Sequence, residues 1–167
     1  FLWFFLIVYG LYLVLDYRRQ NYLLLGASLF FYGSWDYRFL SLLLLSTVLD
    51  YVCGIGLYEA TTRGRKRLWL TFSMLGNLGM LGFFKYYNFF IDSAVVFLGW
   101  LGFEVNPWSL KIILPVGISF YTFQTMSYVL DIYRGKLKPT RDLLDFALFV
   151  AFFPQLVAGP IERARNL

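Results

Sequence analysis

The sequence contains no histidine. That removes the side chain that titrates nearest neutral pH and most often takes a proton from a hydroxyl in catalysis. There is one cysteine, Cys53, so no internal disulfide can form. With no imidazole to join it, no metal centre can be built around that thiol, and its place inside an apolar run suits a small packing residue. Charge is also scarce: Asp, Glu, Lys and Arg make up 15% of the 167 residues and fall in short clusters. No internal repeat, low-complexity stretch or long linker interrupts the chain, which reads as one domain over residues 1–167. A basic n-region and a small-residue cleavage site are both missing, so no signal peptide is expected.

What the chain has in excess is apolar surface. Hydrophobic residues make up 59% and aromatics 22% of it, and the mean hydropathy is +0.62. A soluble domain carries roughly 45–50% apolar residues, and charge gathered between long apolar runs is the pattern of membrane spans and loops. The expected fold is an all-α, polytopic transmembrane bundle of about five to six spans with one interfacial or re-entrant helix. The lipid bilayer is therefore the first expected partner. The net charge of +5 belongs to loops flanking spans, where topology signals and anionic headgroups require it. It implies no nucleic-acid binding.

The first apolar run, Phe1 to Leu15, is short for a span and closes at the polar turn Asp16–Gln20. Further runs cover Tyr22–Trp35, Phe39–Tyr58 and Leu68–Phe84. Lys85-Tyr86-Tyr87-Asn88 then suits a membrane interface. Phe89–Phe103 is apolar but short and holds Asp92; Ile112–Tyr133 is long; Leu143–Ala158 is broken at Pro154. The turns after the first and third runs carry Arg18 and Arg19, and Arg63, Arg65, Lys66 and Arg67, whereas the turn between carries Arg38 alone. The positive-inside rule places the Arg63–Arg67 loop in the cytoplasm. The basic loop Arg134–Arg141 belongs there too, which requires that Phe89–Phe103 not cross fully.

Several polar or small residues lie at span depth. Gly76, Gly79 and Gly82 recur every three residues, as in a helix–helix seam. Asp50 sits mid-run, where an ionised carboxylate costs about 2.5–3.5 kcal/mol. It needs a partner on another helix, a wet cavity or a bound proton. Tyr121, Gln124 and Tyr128 fall along one helical face, either as a hydrogen-bonded seam or as a substrate-lining face. Pro154 and Pro160 flank Gln155 and Gly159. Backbone broken this way at membrane depth is tolerated where it is buried or lines a cavity.

Leu114-Pro115-Val116-Gly117-Ile118-Ser119-Phe120-Tyr121-Thr122-Phe123-Gln124, running on to Tyr128, Asp131, Tyr133, Arg134 and Gly135, resembles the membrane-bound O-acyltransferases. The block Phe153-Pro154-Gln155-Leu156-Val157-Ala158-Gly159-Pro160-Ile161 is similarly typical. Phe31-Tyr32-Gly33-Ser34-Trp35 and Phe83–Phe90 fit the same pattern. The resemblance is to the alginate O-acetyltransferase branch, with the D-alanyl transfer protein of teichoic acid synthesis as a relative. It implies an enzyme of the bacterial inner membrane that moves an acyl group from a thioester donor, acetyl-CoA or an acyl carrier, to a hydroxyl. The implied acceptor is an exported polysaccharide, reached through a periplasmic acyltransferase partner, and no cofactor or metal is bound.

Family members carry an essential histidine on a later helix, and this chain has none. The expectation is an N-terminal part of such an enzyme, inactive alone, with no catalytic residue of its own. Tyr121, Gln124, Tyr128, Pro154, Gln155, Gly159 and Pro160 match family motif positions and are the candidate substrate-tunnel residues. A transporter or flippase-like subunit is the competing class, since transporters also use broken helices and buried polar groups. An inverted repeat would favour it, and no second half resembles the first.

Overall fold

The computed structural model describes residues 2–102 and 117–158. Among the described residues there are seven helices and no strand, so the all-α expectation holds. They are α1 (Leu2–Val14), α2 (Tyr17–Trp35), α3 (Tyr37–Glu59), α4 (Arg63–Trp100), α5 (Ile118–Tyr133), α6 (Leu143–Ala151) and α7 (Phe153–Ala158). The expected loop at Glu104–Pro107, the start of the Ile112–Tyr133 run and the stretch from Gly159 onward lie outside the described residues.

The turns are short and chemically specified. Asp36 closes α2 and caps α3, its Oδ1 accepting from the Arg38 amide at 2.8 Å. Asp142 caps α6 through the Leu144 amide at 2.9 Å. At the end of α5, Gly135 takes φ +70, and the Gly135 and Lys136 amides bond back to the Ile132 and Asp131 carbonyls at 3.0 and 2.9 Å. That is a Schellman stop, which requires a residue at ease in the left-handed region. Among the described residues α3 passes as a membrane span on length and hydropathy, and the two arms of α4 do so only when taken together. The 23 residues of α3 rise about 35 Å, and its window averages 1.9.

Three boundaries differ from the sequence reading. Arg63–Arg67, read as a loop before a span from Leu68, form the first turn of α4, because Thr62 caps the helix there by accepting from the Arg65 amide at 3.4 Å. The polar residues Tyr17–Asn21 form the first turn of α2 rather than a loop, because arginine and glutamine are good helix formers once apolar residues follow. α4 also runs unbroken through Lys85–Asn88, and its two arms, Arg63–Tyr87 and Phe89–Trp100, meet at 48°. The second arm, about 18 Å long, is shorter than a ~30 Å hydrocarbon core.

α3 lies at the centre, antiparallel to α4, with α5 packed on both and α6 lying against α2 and α3. Leu43, Leu57, Tyr128, Val129, Phe146 and Val150 are almost fully buried there. So are Ser46, Asp50, Ser73, Asn77, Gln124 and Thr125, each 0% exposed. Trp3, Leu13, Val14, Phe30, Leu75, Phe90 and Phe97 are all more than half exposed. Polar groups inside and large apolar groups outside invert the arrangement that water selects; lipid, which solvates the second kind and starves the first, selects it.

The basic clusters gather at one end. Arg141 pairs with Glu59 at the end of α3 (3.8 Å), and its carbonyl accepts from Tyr51 Oη at 2.7 Å. The Arg134–Arg141 loop therefore lies beside the Arg63–Arg67 turn. Asn21 Nδ2 donates to Asp145 Oδ1 at 3.1 Å, which brings Arg18 and Arg19 of α2 to that end as well. Arg38, at the α2–α3 turn, lies at the other.

Glycines set the closest approaches, and not all of them where the sequence pointed. Gly76 does pack on a neighbour: a Cβ there would sit 2.6 Å from Leu49 Cδ2. Gly79 and Gly82 meet nothing within 4 Å among the described residues, because steps of three drift round the helix away from α3. The tighter contact is at Gly56 of α3, where a Cβ would fall 2.5 Å from Cε2 of the Trp69 indole. A rigid ring cannot yield as a leucine methyl can. Gly56→Ala in the full-length protein is expected to cost about 1–3 kcal/mol and lower the unfolding midpoint in detergent, while Gly76→Ala stays close to wild type. Equal effects would contradict the packing.

Candidate functional site

Two helical faces meet at Asp50. Ser46 and Asp50 are one turn apart on α3, and Ser73 and Asn77 one turn apart on α4. Asp50 Oδ1 accepts from Ser73 Oγ at 2.5 Å. Asn77 Nδ2 donates to both Asp50 oxygens at 2.8 Å and to the Ser73 carbonyl at 3.0 Å. Ser46 Oγ completes the set by donating to Asn77 Oδ1 at 2.9 Å. Of the routes open to a mid-span carboxylate, the chain uses bonds to a neighbouring helix. The cluster fastens α3 to α4 through four fully buried polar side chains.

The second polar feature is the break between α6 and α7. In an unbroken helix the Phe149 carbonyl would accept from the Phe153 amide. Instead the Phe153 N–H donates to Ser28 Oγ of α2 at 3.2 Å, and the Phe149 carbonyl accepts from Gln124 Nε2 of α5 at 2.9 Å. Ser28 in turn donates to the Leu24 carbonyl at 2.7 Å. The helix restarts at Phe153, putting Pro154 in its first turn, where the missing N–H costs least. The Gln155 N–H donates to the Phe152 carbonyl at 3.1 Å and closes that first turn. Ser28 lies about 17 Å along α2 from the basic end.

Tyr121, Gln124 and Tyr128 share one buried face of α5, at 2%, 0% and 1% exposure. The Tyr128 ring packs on Phe146 with centroids 4.7 Å apart and fills the space left by Gly54. Gln124 Oε1 accepts no hydrogen bond among the described residues. The Thr140 backbone faces the Tyr128 hydroxyl without closing a bond of good geometry. Pro154 lies apart from these three, on the α1 side of the break. There Phe5, Val8, Tyr9 and Tyr12 of α1, Leu24 of α2 and Phe152–Pro154 line an apolar cleft of about 270 Å³. Gly159 and Pro160 lie outside the described residues.

No three His, Cys, Asp or Glu side chains converge among the described residues, and Cys53 is buried and free. Sequence reading missed Ser28, Ser46, Ser73 and Asn77. The signal for three of them was the i, i+4 repetition of small polar residues on consecutive runs; Ser28 had none. Ser28→Ala strips the Phe153 amide of its acceptor, and Gln124→Leu strips the Phe149 carbonyl of its donor. Each is expected to cost about 1–3 kcal/mol in the full-length protein, read as a lowered unfolding midpoint. Ser41→Ala, which removes an exposed hydroxyl bonded to the Arg38 carbonyl, changes it by less than about 0.5 kcal/mol.

No family model matches the chain, and no solved structure matches it. Curated relatives do. The chain is 45% identical over its whole length to a protein of Pseudomonas aeruginosa named "Probable alginate O-acetylase AlgI", and 44% identical over 95% of its length to the protein of the same name from Azotobacter vinelandii. A peptidoglycan O-acetyltransferase of Helicobacter pylori is 37% identical over 81% of the chain. The chain spans about a third of the length of these relatives: 32%, 32% and 29%. With the LPVGISFYTFQ and FPQLVAGPI blocks in place along it, the chain belongs to the membrane-bound O-acyltransferases, in the branch of the alginate O-acetylases.

Proposed function

We propose that the full-length protein transfers acetyl groups from a thioester donor, acetyl-CoA or an acyl carrier, to hydroxyls of an exported polysaccharide such as alginate. The observation that carries this reading is identity of 44–45% along essentially the whole chain to proteins named for alginate O-acetylation. In the reaction, the acceptor oxygen bonds to the thioester carbonyl carbon, the carbon–sulfur bond breaks, and the hydroxyl proton ends on the departing thiol. A base must relay that proton. This chain has no imidazole, so in this reading the base comes from outside these 167 residues.

The chain's own part is the scaffold. The protein is placed in the bacterial inner membrane as a multi-pass bundle, with its basic end in the cytoplasm. What supports this is the gathering of Arg18, Arg19, the Arg63–Arg67 turn and the Arg134–Arg141 loop at one end, together with the apolar exterior. Within that frame Pro154 and Gln155 form part of the wall of the acyl passage. Gln124 holds the break open from behind, and Tyr121 and Tyr128 fix the helix that carries it. The buried, unused acceptor Gln124 Oε1 supports a site completed by groups from elsewhere. A periplasmic acyltransferase carries the acetyl group onward to the polymer.

The complete gene, expressed in a strain that exports polysaccharide but lacks its acetylation, is expected to restore ester to the polymer, measured as acetate released by mild base. Stable protein in the membrane with no ester on alginate or any exported polymer would defeat the reading.

A further inference from the structure

The cleft beside Pro154 has a direction. Phe5, Val8, Tyr9 and Tyr12 recur along one face of α1, so it runs about 10 Å parallel to that helix. Its deep end is the Phe152–Pro154 break. Its mouth is at Tyr12, close to the α1–α2 turn, where Gln20 Nε2 donates to the Tyr12 carbonyl at 3.0 Å, and Leu24 lines it between there and the break. Beside that mouth stand Arg18 and Arg19, both exposed, and neither has an acidic partner among the described residues. They occupy the first turn of α2, whose cap residue Asp16 makes no side-chain bond to the helix amides.

A groove apolar along its walls and flanked by two arginines at one end matches one amphiphile of the surrounding leaflet. We propose that it holds an acyl tail of an anionic phospholipid, with Arg18 and Arg19 taking the phosphate. The proposal rests on the multi-pass placement given above. Charge complementarity selects the lipid. The mouth lies at the bundle's basic end, the end that faces the anionic leaflet. Two arginines and the free amides of a helix start favour a phosphate that carries net negative charge over one neutralised by choline. The tail also covers the α1 side of the Phe152–Pro154 break, so the lipid braces the same irregular backbone that Ser28 and Gln124 hold from the other sides.

The test uses the full-length protein in nanodiscs of mixed phosphatidylglycerol and phosphatidylcholine. After exchange into phosphatidylcholine alone, lipid retained per protein is counted by native mass spectrometry. The wild type is expected to keep phosphatidylglycerol over phosphatidylcholine by about tenfold, and Arg18→Gln with Arg19→Gln to bring the two near parity. Val8→Trp, which fills the groove and leaves the arginines intact, is expected to release the retained lipid. Equal retention of both lipids by a correctly inserted wild type overturns the site and leaves the placement standing. Retention unchanged by Val8→Trp, or a crosslink from Val8→Cys to a later segment of the chain in place of lipid, also overturns it. Failure to insert at all overturns the placement and the site together.

Discussion

Lipid offers no hydrogen bonds, and Asp50 is where this chain meets that fact most directly. The carboxylate is fully buried in the central helix, and α4 answers it with a hydroxyl and an amide one turn apart. That pairing fixes the register of α3 against α4, and the other contacts between the two follow from it. With Asp50 opposite Ser73 and Asn77, Gly56 falls opposite the Trp69 ring and Gly76 opposite Leu49. The near surfaces of the two helices carry small and polar groups, and their far surfaces are left to leucine and phenylalanine. A one-turn slip would strand four polar side chains in an apolar medium, each at a cost of about 1–3 kcal/mol.

The α6–α7 break obeys the same rule with backbone groups. Interrupting a helix releases an amide and a carbonyl, and each is taken up by a different neighbour, Ser28 and Gln124. The break is thereby held in place between α2 and α5. Irregular backbone is tolerated at membrane depth only when sheltered in this way. Among the described residues the basic loops lie at one end and only Arg38 and Lys85 toward the other, the asymmetry that the positive-inside rule reads as orientation.

Much of this was legible from residue order alone. The edges of α1 and α3 fall within two residues of the apolar runs that announced them. Pro154 marked the break, because a missing amide is a local property that the sequence states outright. Asp50 stood out for a similar reason: a charge mid-run is conspicuous wherever its partner lies. The partners were not legible. Ser73 and Asn77 are unremarkable polar residues until α4 folds back antiparallel, and Ser28 looks like any serine in a span. The close approach was assigned to the α4 glycines, yet Gly54 and Gly56 of α3 carry more of it, because a bulky ring on a facing helix decides which glycine is needed. The bend of α4 was also hidden, since aromatic and polar residues at an interface can end a helix or merely turn it.

A double-mutant cycle on Asp50→Leu and Asn77→Leu tests the central claim, with unfolding of the full-length protein followed in bicelles. If the buried pair fastens α3 to α4, each single change destabilises, and the double variant is less damaged than their sum. The orphaned serines can bond back to their own helix carbonyls, which leaves a coupling of about 1 kcal/mol or more, at or above the ~0.6 typical of hydrogen bonds between membrane helices. Effects that simply add, within about 0.3 kcal/mol, would mean that the two side chains do not meet and that something else sets the register.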